Sequence, residues 1–269
     1  LDAYEPKTKA AKYPTPGVLA RHINRHTKQT PALDLIDQAL VQAFNTPDAR
    51  LIISMPPQEG KSVRVAGDFP VWALMHNPDC RIVTASYGAD LATRNGRAIR
   101  RRITSNDLGL TIARDNGAVG DWTLDGHQGG VFSIGIGGGV TGRPADMLII
   151  DDPIKSRAEA ESSAYRERVW DWWTDEASAR LAPGAPVVLI MTRWHTDDLA
   201  GRLVERDVEA GWRVLNIPAQ CDDPDGDPLG RQLGEFMTSA RGRTRQQWEL
   251  RKSTAGSRTW NALYQGRPA

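Results

Sequence analysis

"RLIISMPPQEGKSVRVAGDF" occupies residues 50–69, and three textures follow one another in it without a break. Residues 50–54 are a continuous apolar run of the kind that fills a strand covered on both faces. Residues 55–60 carry two prolines and a glycine, which stop a strand and shape a loop. From Ser62 onward, "SVRVAGDFPVWALMHN" reads as a helix. Strand, loop and helix in that order aim the loop's backbone N–H groups and the helix dipole at one point. Such a point is a cradle for an anion.

The tripeptide Gly60-Lys61-Ser62 has the form in which a phosphate-binding P-loop ends, with lysine for the β/γ-phosphates and a hydroxyl for Mg²⁺. The usual first glycine is replaced by Met55, and Pro56-Pro57 stiffen the rising side. A bare GKS is weak evidence, so a second motif is needed. It comes in "ADMLIIDDP" (145–153), an apolar strand that ends in paired acids. Asp151 suits the Mg²⁺ shell, and Asp152 is placed to orient or deprotonate a water. Alone, that strand end reads equally well as a helix cap. Two motifs in the right order, each on an expected strand, point to nucleotide hydrolysis.

Five short apolar runs are expected strands: 50–54, 80–86, 129–136, 146–151 and 185–191. Helical patterns lie between them at 62–77, 88–103, 156–181 and 196–211, the last with Thr196 as its cap. The segment before Leu51 is also helical. This alternation predicts an α/β fold with a mainly parallel sheet flanked by helices. After Ile217-Pro218 the alternation stops, so a core is expected over 1–210 and a smaller unit over 211–269. With 269 residues and 25% charged residues the chain has room for that core. Cys80 and Cys221 define no disulfide framework. No apolar run approaches the length of a membrane span. The net charge of +1 is uneven, with eight Lys/Arg against two Asp/Glu from Arg231 onward. That basic end suits a polyanion or an acidic partner, or is a solvated face.

"SMPPQEGKS" (54–62), "TASYGADLATRNGRAIRRRI" (84–103), "GIGGGVTGRPADMLIIDDP" (135–153) and "VLIMTRWHTDDLAGRL" (188–203) together resemble the large terminase subunits of tailed bacteriophages. The resemblance spans about residues 20–269. It implies a P-loop NTPase of the ASCE type with a C-terminal linker or lid subdomain. It also implies a motor that uses ATP and Mg²⁺ to drive double-stranded DNA through a portal protein into a procapsid. The implied partners are the small terminase subunit and further copies of the chain, in a homo-oligomeric ring of five, with a monomer expected in isolation. The implied setting is the host cytoplasm, docked on the procapsid. Relatives write the loop "PPRHGKS", so Gln58 and Glu59 replace two cations and would stand with Gly60, Lys61 and Ser62 at the phosphates. Arg143 is implied as an arginine finger acting on a neighbouring subunit, and a surface arginine at a turn is the other reading. Arg193 is a second finger candidate, and His195 beside it reads as structural. Thr192 would sense the γ-phosphate and couple hydrolysis to movement. Gln29 is implied on the adenine side. The family's nuclease domain would begin where this chain ends at "LYQGRPA", so nuclease activity is not expected. Leu1 in place of methionine also fits an excised piece.

Arg94, Arg97 and Arg101 share one face of their helix and suit a DNA backbone; a solvated face or a subunit interface suits them too. Trp248, in a basic tail, reads as an anchor into the lid. His22 and His26 lack a zinc-site glutamate, and "DDPDGDP" (222–228) departs from a calcium loop. Trp170, Trp172 and Trp173 cannot all face one way on a helix. Two other functions stay open: a helicase or repair ATPase on the same core, and a nucleotide-gated assembly module without turnover.

Overall fold

The computed structural model describes residues 9–138 and 142–268. Residues 139–141, part of the glycine-rich stretch before Arg143, lie outside the described residues, as do 1–8 and 269 at the ends of the expected units. After a short 3-10 turn, Lys9–Lys12, come α1 (Pro16–Ile23) and α2 (Pro31–Asn45). Each opens on Thr-Pro, with the Thr15 and Thr30 hydroxyls accepting from the N–H groups of Val18 and Leu33. That is N-capping with a proline where the helix needs no donor.

β1 (Arg50–Ser54) then leads through the loop into α3 (Lys61–Val63), a wide π-helical turn (Arg64–Asp68) and α4 (Phe69–His76). Next come β2 (Arg81–Ser86), α5 (Ala89–Thr104), β3 (Ile112–Ala118), β4 (Asp121–Leu124), β5 (Gly130–Gly135) and β6 (Met147–Asp151). α6 (Arg157–Glu161) and α7 (Ser163–Asp171) run into a second π turn, Trp172–Ala177. β7 (Val187–Ile190), α8 (Leu199–Arg206) and β8 (Arg213–Asn216) complete the sheet. α9 (Arg245–Ala255) and α10 (Ser257–Thr259) follow, the latter continuing as a third π turn, Trp260–Tyr264.

The strands lie in the order β3-β4-β5-β2-β6-β7-β1-β8. From β5 to β8 every pairing is parallel, and only β4 runs against its neighbours. The five expected strands are β1, β2, β5, β6 and β7. β3 and β4 form an antiparallel edge hairpin, and β8 is an edge strand with Arg213 and Val214 exposed. β8 carries the sheet past residue 210, where the core was expected to stop. β7 lies between β1 and β6, so the carboxyl ends of three adjacent strands deliver the loop 55–60, Thr192 and the Asp151-Asp152 pair side by side.

Alternation along the strands feeds two apolar layers. Leu51 and Ile53 face one layer with Leu19, Ile36, Phe69 and Ile99, while Ile52 faces the other with Trp172, Trp173 and Leu203. Each such side chain contributes about 1.5–3 kcal/mol on burial. The single helix expected over 156–181 is broken. The Ser162 hydroxyl caps α7, and the π turn lets both Trp172 and Trp173 reach the core while Trp170 stays half-buried. The cap of α8 is Asp198, two residues beyond Thr196, and its carboxylate accepts from Gly201 N–H.

Beyond β8, residues 217–268 gather around an aromatic cluster. Trp248 is 1% exposed, stacks on Phe236 with planes 2° apart, and meets Tyr264 edge-on. Trp248 is therefore an anchor of this C-terminal unit. Among the described residues no helix is long and apolar enough to cross a membrane.

Candidate nucleotide site

The loop between β1 and α3 begins with Met55, which is 3% exposed and packs into the apolar layer. The slot of the absent glycine is thus filled by a core residue. Gln58 has φ +67° and Gly60 has φ +98°, so the chain turns left-handed twice before the helix. A side chain at Gly60 would meet that left-handed backbone at a cost. Lys61 is buried, and its Nζ donates to Thr192 Oγ1 at 2.9 Å. Ser62 Oγ donates to Asp151 Oδ1 at 2.9 Å.

Asp151 and Asp152 part company at the end of β6. Asp151 is buried and also accepts from Asn95 Nδ2 at 3.0 Å. Burial, and then the charge of Asp152, push its carboxyl up to about 6, against the pull of Ser62, Lys61 and Asn95. Asp152 adopts φ +47°, which swings its carboxylate onto the Thr192 N–H at 3.0 Å. Lys61, Thr192 and Asp152 therefore form one chain of contacts, and Ser62 and Asp151 form another beside it. The hydroxyl and carboxylate oxygens of Ser62 and Asp151 are the hard donors that suit Mg²⁺. Among the described residues no cluster of three or more His, Cys, Asp or Glu could hold a metal by itself.

A cavity of about 480 Å³ opens beside the loop, lined by His26, Lys28, Gln58, Lys61 and Ser62 and, from the C-terminal unit, Arg241. Gln29 is not on its wall. Its carboxamide donates to Asp34 and Asp37, each at 2.8 Å, and accepts from Arg64 Nη2 at 2.9 Å. It belongs to a buried ion cluster. Arg64 Nη1 reaches the two Asp37 oxygens at 2.7 and 2.6 Å, Arg64 Nε meets Asp68, and Asp68 takes Arg102 Nε at 2.8 Å. Burial pushes the Asp37 and Asp68 carboxyls up, and the neighbouring guanidinium groups offset only part of that rise. α1 can lie on this cluster because residue 17 is glycine: a Cβ there would sit 2.1 Å from Asp37 Oδ2.

Glu59 does not face the cavity. It is 1% exposed, and its carboxylate accepts from Ser239 Oγ, from Ala240 N–H at 2.7 Å and from Arg243 Nη1. Arg243 Nη2 also reaches Gln58 Oε1 at 3.2 Å.

Arg143 lies apart from the loop. Its guanidinium pairs with Asp121 on β4 and covers the Phe132 ring on β5 at 5.0 Å. β5 is four strand spacings from β1, about 19 Å at ~4.8 Å per strand. Arg193 is spent on Asp198, whose carboxylate it meets at 2.8 Å, and the His195 ring accepts from Asp197 N–H. Arg94, Arg97 and Arg101 are exposed along the outer face of α5.

Four side chains on the loop, on its acids or on the cavity wall were not expected from the sequence: Asn95, Ser239, Arg241 and Arg243. Asn95 had a signal, because it lies on the buried face of α5 with Ala92, Gly96 and Ile99. A polar residue at a core-facing helical position calls for a partner. The other three lie well over a hundred residues beyond the loop, where no local spacing could connect them to it.

A family model described as terminase large subunit, T4likevirus-type, N-terminal, matches residues 52–263. No curated protein matches the sequence. Among solved structures, the large terminase of bacteriophage HK97 aligns with TM-score 0.54 and 12% identity, over 86% of this chain and 50% of that one. The large terminase of a thermophilic bacteriophage aligns with TM-score 0.50 and 13% identity, over 91% of this chain and 51% of that one. At such identities the likeness is one of fold, and the chain spans about half the length of the solved terminases it matches. The order β6-β7-β1, the phosphate loop and the family match agree: the chain belongs to the terminase large subunit family, T4likevirus-type, N-terminal.

Proposed function

We propose that this chain binds MgATP in the cavity beside the loop and hydrolyses it, as the motor that drives double-stranded DNA into a procapsid. The observation that carries the reading is the convergence of Lys61, Thr192 and Asp152 in one run of contacts, with Ser62 on Asp151 beside it. Lys61 Nζ would exchange Thr192 for phosphate oxygens on binding. Magnesium, held by Ser62 and Asp151, would neutralise charge on the β- and γ-phosphate oxygens. Asp152 would orient the attacking water and take its proton, and Thr192, touching both Lys61 and Asp152, would register the loss of the γ-phosphate. Gln58 and Gly60 would face the phosphates, while His26 and Lys28, on the same cavity wall, would take the part expected of Gln29. Glu59 is given no contact with the nucleotide.

Arg143 is proposed as a finger in trans. Four strands from its own loop and partly exposed, it would act on a neighbouring subunit, in a homo-oligomeric ring of five. Double-stranded DNA, gripped along Arg94, Arg97 and Arg101, the portal protein and the small terminase subunit are the proposed partners. The place of action is the procapsid in the host cytoplasm.

Phosphate release and binding of a fluorescent ATP analogue test the core of this reading. The wild type should bind and turn over, and Lys61→Ala should lose both. A wild type that binds the analogue but releases no phosphate at any concentration, with DNA present, would overturn hydrolysis.

A further inference from the structure

Both ends of the phosphate loop are fastened to the C-terminal unit. At the front, Ser54 Oγ donates to Asn216 Oδ1 at 2.8 Å, and Asn216 Nδ2 donates to the Gln265 carbonyl at 2.9 Å. At the back, the Glu59 carboxylate is wrapped by Ser239, Ala240 and Arg243. A carboxylate this deeply buried cannot shed its donors without a large desolvation penalty. Glu59 therefore stays on residues 239–243 whenever either part moves. Glu59 is also the residue before Gly60, so its peptide group is part of the phosphate cradle. The same turn brings Arg241 to the cavity wall, because Ser239 Oγ accepts from Arg241 N–H at 3.1 Å while facing Glu59.

We propose that Glu59 is a positioning residue: it clamps residues 239–243 to the phosphate loop, so that nucleotide occupancy and the placement of the C-terminal unit are a single transition. Arg243 is its partner in the clamp, and Arg241 is the cation that the clamp delivers to the nucleotide. This rests on the nucleotide reading above. The clamp gives the loop, where Gln58 and Glu59 replace two cations, a cation from the same chain in addition to the Arg143 proposed in trans.

The test is hydrogen exchange across 236–248, with and without Mg²⁺ and a non-hydrolysable ATP analogue, alongside the analogue's Kd. In the wild type the analogue should slow exchange at both 58–64 and 236–248. In Glu59→Gln, which keeps the shape and removes the charge, the analogue should bind about tenfold more weakly, as expected when a charge-assisted hydrogen bond is removed. It should still protect 58–64 but no longer 236–248. Arg243→Gln, on a half-buried side chain, provides a second and milder route to the same result. The double variant should be no worse than either single one, because the two residues act as one unit. Losses that add in the double variant, or nucleotide-dependent protection of 236–248 that survives Glu59→Gln, would overturn the clamp alone. A wild type that binds no analogue would overturn the nucleotide reading and the clamp with it.

Discussion

Asp152 holds its carboxylate in place with a left-handed backbone that few residues accept. Aspartate and asparagine are among those that do, since their short side chains bond locally. Asp152→Asn therefore keeps the turn and changes only the charge. Nucleotide binding should survive while turnover falls by about 10²–10⁴, the usual contribution of a positioned base. Single-turnover phosphate release separates the two, and an unchanged rate would remove Asp152 from the chemistry. The buried cluster behind the loop makes a different prediction. Asp37→Ala takes from Arg64 the carboxylate that accepts twice from its Nη1 in a dry site, at a cost of about 3–5 kcal/mol. Urea unfolding measures it, and a loss under about 1 kcal/mol would mean that water reaches Arg64.

At the scale of elements, strands within the sheet are legible in the sequence because burial on both faces leaves a continuous apolar run. β3, β4 and β8 are not, because "IARDNGA", "DWTL" and "RVLN" are short or polar at the margins of the sheet. The helix over 156–181 reads as unbroken because the break at Ser162 lies between two good helix-forming stretches, and the π turn further on leaves no mark in composition. The loop and its acidic partner strand are legible at once, since each is a local motif. The Glu59 clamp is not, since it joins segments far apart in sequence. The C-terminal unit offers a test of its own packing. The Trp248 Nε1–H is buried with no acceptor among the described residues. Trp248→Phe should then cost little, while Trp248→Ala should cost about 3–5 kcal/mol. Thermal unfolding of both variants gives the comparison, and equal losses would mean that the indole nitrogen is satisfied. On α5, replacing Arg94, Arg97 and Arg101 with serine should weaken binding to duplex DNA of any sequence. It should also lower the slope of log K against log salt by about one for each phosphate no longer neutralised. An unchanged slope would assign that face to solvent or to another protein.

Across the whole molecule, α7 and α8 are tied by a charged knot. Asp197 takes Arg202 at 2.7 and 2.9 Å and Arg166 at 3.0 Å. Hydrogen bonding from Arg202 first, and then from Arg166, holds the Asp197 carboxyl far below its ordinary 3.8 despite partial burial. A carboxyl depressed in the folded state stabilises fully above its unfolded value, and that contribution fades as pH falls through the folded value. Asp197→Asn should therefore cost about 1 kcal/mol at neutral pH, allowing for solvent screening. The gap from the wild type should close as acid is added below 3.8; a gap that persists there would locate the effect in packing. Three π turns, at 64–68, 172–177 and 260–264, run through the loop helix, the second apolar layer and the C-terminal unit. Each holds one residue more than an ordinary turn, so each is slack in a coil. Drawing the slack out of 64–68 would rotate everything beyond it by about 100° and carry Asp68 away from Arg102. Those ion pairs are the pawl on that coil: Asp37, Asp68 and Arg102 hold the helix behind the loop at its wound length.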